Sequence, residues 1–280
     1  MNTAQYRWPN GKKVGVIVSI DFDGEVPYLW RTRKSPPVGI GDLEQRRFGP
    51  RQGIYRMLEL FKLWEIRASF FIPGLIADKY PNAVEKIAEG GHEIGLHGYR
   101  HERVDEIDAA EMEETLQRAR ASIERIAGQR DMGYRSPSWE MTDYAFQVLH
   151  RLDVLYDSSL MGSDHPYWAE GFPEIPVQWL LDDAIFYRYS GPPSSPRNPG
   201  DVVDLWRREF EGLKRWNGLF LVTMHPWISG RASRLQAVEV LIEQMKQDPD
   251  VWWTTCGEVA DYHRKTYADE FHEKVSYDIE

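Results

Sequence analysis

The sequence predicts an α/β fold, most simply a (β/α) barrel of about seven to eight strand–helix units, in one domain over residues 1–280. Short apolar runs, typical of strands buried on both faces, alternate with amphipathic helical patterns. The length of 280 residues is near the usual size of such a barrel. Ionisable residues directly follow several predicted strands, at the face where barrel active sites are built.

The predicted strands are apolar runs that each end at a turn or a polar residue: 14–20, 68–72, 93–96, 133–137, 154–158, 174–177, 218–224 and 251–255. Helical patterns lie between most of them: 54–64, 82–89, 108–127, 142–151, 202–216, 235–246 and 256–267. Asp108 is the predicted N-cap of the longest helix.

Residues 26–53 and 180–200 have no regular pattern, so both are predicted to be irregular. The first segment is rich in Pro, Gly and Arg and contains several aromatic residues. A loop of that length inside a compact protein is usually functional or disordered. We therefore expect it to form a lid or a wall over a pocket.

The composition excludes several classes of partner. A formal net charge of -10, with dispersed Lys and Arg, argues against a nucleic-acid face. The single cysteine, Cys256, leaves no disulfide framework and favours a reducing compartment. No apolar run has the length of a membrane span or the form of a signal peptide. We expect a cytoplasmic protein that binds neither nucleic acid nor membrane.

Two pairs of residues suggest a metal site. His97 and His101 stand four positions apart, and on one turn of helix both imidazoles could bind one ion. Such a pair alone is more often two ordinary surface histidines. Asp21 and Asp23 lie two apart on an extended segment, so both carboxylates point to the same side. Asp23, His97 and His101 form an ordinary ligand set for catalytic zinc, although cobalt, nickel or iron would also fit.

Five motifs follow in order along the chain: Ile-Asp-Phe-Asp-Gly at 20–24, Phe-Phe-Ile-Pro-Gly at 70–74, His-Gly-Tyr-Arg-His at 97–101, Arg-Ser-Pro-Ser-Trp at 135–139 and Val-Thr-Met-His-Pro at 222–226. Together they resemble the polysaccharide deacetylase superfamily, which carries the NodB-homology domain. The resemblance spans about residues 14–260. It implies a distorted (β/α) barrel that hydrolyses acetyl groups on sugars with a divalent metal, an aspartate base and a histidine acid.

The motifs depart from the usual pattern at two positions. Phe22 separates two aspartates that are normally adjacent, and Gly98 replaces a Ser or Thr. With residues 157–161, 175–179 and 182–183, these departures resemble an intracellular branch that includes cyclic imide hydrolases, allantoinase-like proteins and a cytosolic peptidoglycan-deacetylase-like group. That resemblance implies a small cyclic imide or ureide substrate and a homo-oligomer, by analogy a tetramer. An N-acetylated glycan and a non-catalytic binding barrel remain the alternatives.

The resemblance also implies a role for each matching residue. The metal, expected to be zinc, would be held by Asp23, His97 and His101. Asp21 would be the base. His225 would be the acid, and Arg135 would orient Asp21 through a charged hydrogen bond. Four residues are candidates for substrate contact, although each singly is more often a packing or structural residue: Trp139, Glu140, Trp179 and Asp183.

Overall fold

The computed structural model describes residues 6–188 and 195–269. The strands of that part are β1 (Val14–Asp21), β2 (Ser69–Ile72), β3 (Glu93–Leu96), β4 (Tyr167–Ala169), β5 (Phe172–Glu174), β6 (Leu219–Met224) and β7 (Val251–Thr254). The α-helices are α1 (Val26–Thr32), α2 (Gly41–Phe48), α3 (Ile54–Leu63), α4 (Gly74–Lys79), α5 (Pro81–Glu89), α6 (Ala109–Ala127), α7 (Asp143–Arg151), α8 (Ala184–Tyr187), α9 (Pro199–Arg215), α10 (Ala232–Lys246) and α11 (Cys256–Thr266). None of the described helices is long and apolar enough to cross a membrane.

The predicted α/β class is confirmed, and β1 is the centre of a parallel sheet. It pairs with β2, β6 and β7, and β2 pairs with β3. Single parallel bridges continue the series from β3 through Tyr134 and Asp157 to Glu174, while Asp182 bridges to β6. The series of paired segments therefore runs from Glu174 through β3, β2, β1 and β6 to Asp182, the order of a (β/α) barrel.

All eight residues of β1 are buried, which explains its nearly continuous apolar run. Because the strands are parallel, their carboxyl ends meet at one edge. Asp21 ends β1, His97 follows β3, Arg135 follows the bridge at Tyr134, and His225 follows β6. The sheet therefore brings these four side chains to one place.

The prediction of an irregular segment over residues 26–53 is wrong. It contains α1, α2 and a π-helical turn at Gly49–Gly53. Pro27 and Pro50 stand in the first turns of the first and last of these, where the missing N–H costs nothing. Likewise, α8 falls in the supposedly irregular segment 180–200, of which residues 189–194 lie outside the described part.

Three predicted strands are also different in the structure. The strand over 133–137 is reduced to a single bridge at Tyr134, and that over 154–158 to one at Asp157. The strand over 174–177 is replaced by β5, which pairs antiparallel with β4 in a hairpin that the sequence did not reveal. Helix α4 was not predicted either. The long helical patterns are confirmed, with ends that shift by a few residues.

The cap of α6 offers a test of local stability. The Asp108 carboxylate accepts a hydrogen bond from the Glu111 amide at 2.9 Å. We expect Asp108→Ala to lower the free energy of unfolding by about 1 kcal/mol, because one amide of the first turn loses its partner. Urea unfolding measures this, with Glu114→Ala on the exposed side of the same helix as the control. Equal midpoints for the two variants would contradict the assignment.

Candidate active site

A cavity of about 720 Å³ opens at the carboxyl edge of the sheet. Its floor contains Asp21, Asp23, His97, His101 and His225. Helices α1 and α2 supply part of its wall, so the segment 26–53 lines the cavity as expected of a wall, although it is helical. Other residues of the wall come from the loops that follow later strands: Arg103, Trp139, Trp179, Arg188 and Trp227.

Asp23, His97 and His101 converge within the cavity floor. The Nε2 atom of His97 lies 3.3 Å from Asp23 Oδ1, and that of His101 lies 3.6 Å from Asp23 Oδ2. One potential ligand atom from each residue lies within 4.8 Å of the others, and all three residues are buried. The two histidines are brought together by a loop rather than by the helical turn that we predicted. Gly98 and His101 adopt positive φ angles of 69° and 59° there.

A buried glutamate fixes the shape of this loop. The Glu102 carboxylate accepts hydrogen bonds from the amides of Tyr99 at 2.8 Å and Arg100 at 2.7 Å. Glu102 is only 3% exposed, so these bonds are shielded from water. They hold the chain between the two histidines in the turn that directs both rings at Asp23. Sequence reasoning did not select Glu102.

The chemistry of these donors fits a divalent cation. His97 Nδ1 donates to the carbonyl oxygen of Arg135 at 2.7 Å, so Nε2 of the neutral ring presents its lone pair to Asp23. Burial lowers the pKa of His101 to about 4, which leaves that imidazole neutral as well. The buried Asp23 Oδ1 has no hydrogen-bond partner. Two lone pairs and an unpaired carboxylate oxygen facing one another require positive charge between them.

The pKa values of Asp23 and His97 agree with that conclusion. Burial raises the pKa of Asp23, but the imidazoles of His101, His97 and His225 together lower it well below its usual range. Burial lowers the pKa of His97, but Asp21 and Asp23 raise it more. The carboxylates thus favour a positive charge at His97 Nε2, where either a proton or a metal ion bound to the neutral ring would supply it.

Arg135 holds Asp21 on one side of this set. Its fully buried guanidinium donates to Asp21 Oδ1 at 2.8 Å, and also to the side chains of Ser19 and Ser158 at 2.8 and 2.9 Å. Burial lowers the pKa of Arg135, but the charge and hydrogen bond of Asp21, together with Cys256 and Tyr156, raise it overall, so the guanidinium stays charged beside Asp21. Because the anchoring bond uses Oδ1, Asp21 Oδ2 is directed at the metal set, 4.0 Å from His97 Nε2.

Asp183 holds His225 next to the same set. Asp183 Oδ1 accepts from His225 Nδ1 at 2.7 Å, and Oδ2 accepts from the His225 amide at 2.9 Å and from the Ser229 hydroxyl. Burial lowers the pKa of His225, but Asp183 raises it to about 10 overall. The ring therefore carries a proton on Nε2, which lies 3.6 Å from Asp23 Oδ2. The Nδ1 proton fills the space between Asp183 and His225, which makes this cluster an unsuitable second metal site.

The prediction that Asp183 contacts the substrate does not fit its position. Asp183 is fully buried behind the His225 ring and does not line the cavity, whereas Asp182 does. Asp182 lies on an extended segment that bridges to β6. Asp182 is extended, whereas Asp183 has helical backbone angles at the start of α8, and of the two carboxylates only that of Asp182 lines the cavity. Burial raises the pKa of Asp182 to about 7.

The three other candidates for substrate contact all line the cavity. The rings of Trp139 and Trp179 stack with centroids 4.4 Å apart, and Trp179 remains 46% exposed. Ser138 and Trp139 have positive φ angles of 63° and 57°, an uncommon backbone that turns the indole over the cavity. Glu140 is exposed at the rim, with its carboxylate 4.0 Å from Arg103.

Sequence reasoning missed several residues of the wall. Five of them are arginines whose side chains line the cavity: Arg31, Arg33, Arg46, Arg103 and Arg188. For Arg31, Arg33 and Arg46 the signal was present in the Arg-rich composition of the segment 26–53. It could not be interpreted without the helices that direct these side chains inward.

Known proteins of similar sequence and fold place the chain in a family. The sequence profile of the family described as polysaccharide deacetylase matches residues 48–156. The peptidoglycan deacetylase of Helicobacter pylori is 28% identical over 89% of this chain and 96% of its own. A Mycobacterium smegmatis structure assigned to the polysaccharide deacetylases is 32% identical, with a TM-score of 0.89 over 98% of both chains. The structure of Puue allantoinase shares the fold, with a TM-score of 0.81 and 21% identity over 94% of both chains. The chain belongs to the polysaccharide deacetylase superfamily, whose enzymes hydrolyse C–N bonds of N-acetyl groups.

Proposed function

We propose that this protein is a metal-dependent hydrolase of a non-peptide C–N bond, in an amide or an imide. One observation carries the proposal. The buried Asp23–His97–His101 set has two neighbours, a carboxylate held by Arg135 and a protonated imidazole held by Asp183. A base and an acid beside a metal site are what water addition to an amide and departure of its nitrogen require.

The reaction uses these residues as follows. Asp23, His97 and His101 would hold a divalent ion, zinc in our proposal, which when bound would polarise the carbonyl and lower the pKa of the attacking water. Asp21 Oδ2 accepts a proton from that water as its oxygen adds to the carbonyl carbon. His225 donates its Nε2 proton to the nitrogen as the C–N bond breaks, and one water is consumed. A linear amide gives a separate acid and amine, whereas a cyclic imide opens to one molecule that carries both an acid and an amide. Arg135 and Asp183 position the base and the acid.

We propose a small cyclic imide or ureide as the substrate, within a cavity whose wall is formed by α1, α2 and several indole rings. Trp139, Trp179 and Glu140 are then the residues of the wall that contact it. A second candidate is an N-acetylated glycan, because a relative that matches over most of its length is named a peptidoglycan deacetylase. A cytoplasmic location and a homo-oligomeric assembly remain predictions.

A hydrolysis screen distinguishes these substrates. Succinimide, phthalimide, hydantoin, allantoin and N-acetylglucosamine oligomers are incubated with the zinc-loaded protein, with and without chelator. Chelator-sensitive ring opening supports the first candidate, and chelator-sensitive acetate release supports the second. Metal binding without hydrolysis of any of them would support a binding protein instead.

The metal set has a direct test. We expect about one divalent ion per chain in the purified protein, and a loss of most of it in Asp23→Asn, because the neutral amide removes the only charge of the set. Elemental analysis by mass spectrometry measures both. Asp105→Asn at the cavity rim is the control and should retain the ion. If Asp23→Asn retains it too, Asp23 is not a ligand.

A further inference from the structure

Three arginines of the cavity wall lie close together without enough acid to balance them. Arg46 extends from α2 with its side chain only 5% exposed, and its guanidinium lies 4.5 Å from the Trp227 ring. The buried Nε of Arg46 has no hydrogen-bond partner. Arg31 on α1 and the exposed Arg188 after α8 line the same cavity.

The nearby acid is Asp42, which lies within 4.0 Å of Arg31 and Arg46. Asp42 Oδ1 lies 3.4 Å from Arg46 Nε, and its Oδ2 lies 3.5 Å from an Arg31 nitrogen, both too long for strong hydrogen bonds. The side chain of Gln45 also donates to Asp42 Oδ1. In the described part of the chain, no carboxylate is within 4.0 Å of Arg188. Asp23 and Asp182 face the cluster from the cavity floor, where Asp23 serves the metal.

The other arginines of the rim differ, because each has a close partner. Arg33 donates to Glu106 at 2.9 Å and lies 3.5 Å from the Trp30 ring centroid. Arg103 donates to both oxygens of Asp105 at 2.9 and 2.6 Å. The excess of positive charge is thus confined to the Arg31–Arg46–Arg188 cluster. Burial and the charges of Arg188 and Arg31 lower the pKa of Arg46, as expected where cations crowd one another.

We infer that the Arg31–Arg46–Arg188 cluster binds a carboxylate of the substrate, so that the molecule hydrolysed is both an amide or imide and an acid. The inference rests on the proposed function, which identifies the bond that is broken. It adds that the substrate carries a negative charge. A guanidinium binds a carboxylate through two parallel hydrogen bonds, which supply direction as well as charge. A carboxylate here would also give the buried Nε of Arg46 the acceptor it lacks.

Matched pairs of substrates test this inference. Hydantoin and hydantoin-5-acetic acid share one ring and differ by a carboxymethyl group, and N-acetylglucosamine and N-acetylmuramic acid differ by a lactyl carboxylate. We expect kcat/KM for the acid to exceed that for its neutral partner by on the order of tenfold or more, the usual scale of a charge-assisted hydrogen bond. In Arg188→Gln the ratio should fall about tenfold, mainly through KM of the acid.

Two further variants separate a lost contact from a damaged fold. Arg46→Lys keeps the positive charge but loses the two parallel N–H groups of the guanidinium, so the ratio of kcat/KM values should fall less than in Arg188→Gln. Arg33→Gln, where Glu106 already balances the charge, should leave the ratio unaltered. Equal kcat/KM for the two members of each pair, or an equal loss for both in Arg188→Gln, would overturn the inference.

The arginine cluster can still be tested if the proposed hydrolytic function is wrong. If neither member of any pair is hydrolysed, titration calorimetry of the zinc-loaded protein with hydantoin-5-acetic acid and hydantoin still decides. If hydantoin-5-acetic acid binds and hydantoin does not, and if Arg188→Gln weakens that binding, the result would support the arginine cluster and contradict the hydrolytic function. No preference for the acid would overturn the cluster whatever the enzyme hydrolyses.

Discussion

Asp21→Asn is expected to keep the metal and to lose turnover by a factor of about 10²–10⁴, the usual worth of general acid–base catalysis. The amide retains the size of the carboxylate and an oxygen to accept from Arg135, so the geometry of the floor is conserved. It cannot accept a proton from water. The measurement is kcat on the best substrate of the hydrolysis screen, with metal content determined on the same sample.

The metal content makes this result specific to Asp21. If Asp21→Asn loses the ion, the roles of Asp21 and Asp23 have been exchanged. If it keeps both the ion and full turnover, the base is another group, and Asp182, the remaining carboxylate of the cavity floor, is the next candidate. Asp105→Asn controls for the loss of one negative charge near the cavity.

The sequence was sufficient to predict strands that are buried along their whole length, because such strands appear as continuous apolar runs. Strand β1 is buried along its whole length, and its apolar run predicted it to within one residue. Strand β6 is likewise fully buried, so His225 could be placed just past its carboxyl end. The gathering of Asp21, His97, Arg135 and His225 follows from parallel strands alone, because their carboxyl ends share one edge.

The sequence was insufficient where a single backbone angle or the pairing of a strand determines the direction of a side chain. The spacing of His97 and His101 fits a helix, yet positive φ angles at Gly98 and His101 produce a loop instead. Asp182 and Asp183 are chemically equivalent in the sequence, and only the bridge from Asp182 to β6 determines which one faces the cavity. The arginine cluster depends on α1 and α2, which were not predicted because the segment 26–53 is rich in proline and glycine.

His225→Ala is the second variant for which we expect a large loss, again about 10²–10⁴ in turnover with the metal retained. The pKa of His225, raised to about 10 by Asp183 against the effect of burial, keeps a proton on the ring at neutral pH. That proton is the one the departing nitrogen needs. Alanine also leaves the buried Asp183 without its main partner, so thermal unfolding should be measured alongside kcat.

Asp183→Asn separates positioning from proton donation. The amide can still accept from His225 Nδ1, but it no longer supplies the charge that raises the pKa of the ring. We expect the ring to lose its proton at a lower pH, so that the alkaline limb of the rate profile moves down by one or more pH units. An unaltered profile would mean that Asp183 only fills space behind the ring.

The size of the His225→Ala effect also depends on the substrate. In an imide the departing nitrogen is stabilised by the carbonyl that remains on it, so it leaves with little help from an acid. An acetamido nitrogen of a sugar has no such stabilisation and must be protonated as the C–N bond breaks. We therefore expect the loss in His225→Ala to be smaller for hydantoin or succinimide than for N-acetylglucosamine oligomers. Equal losses on both classes would show that His225 acts before the nitrogen departs, for example on the developing oxyanion, and the acid would then have to be sought elsewhere in the cavity.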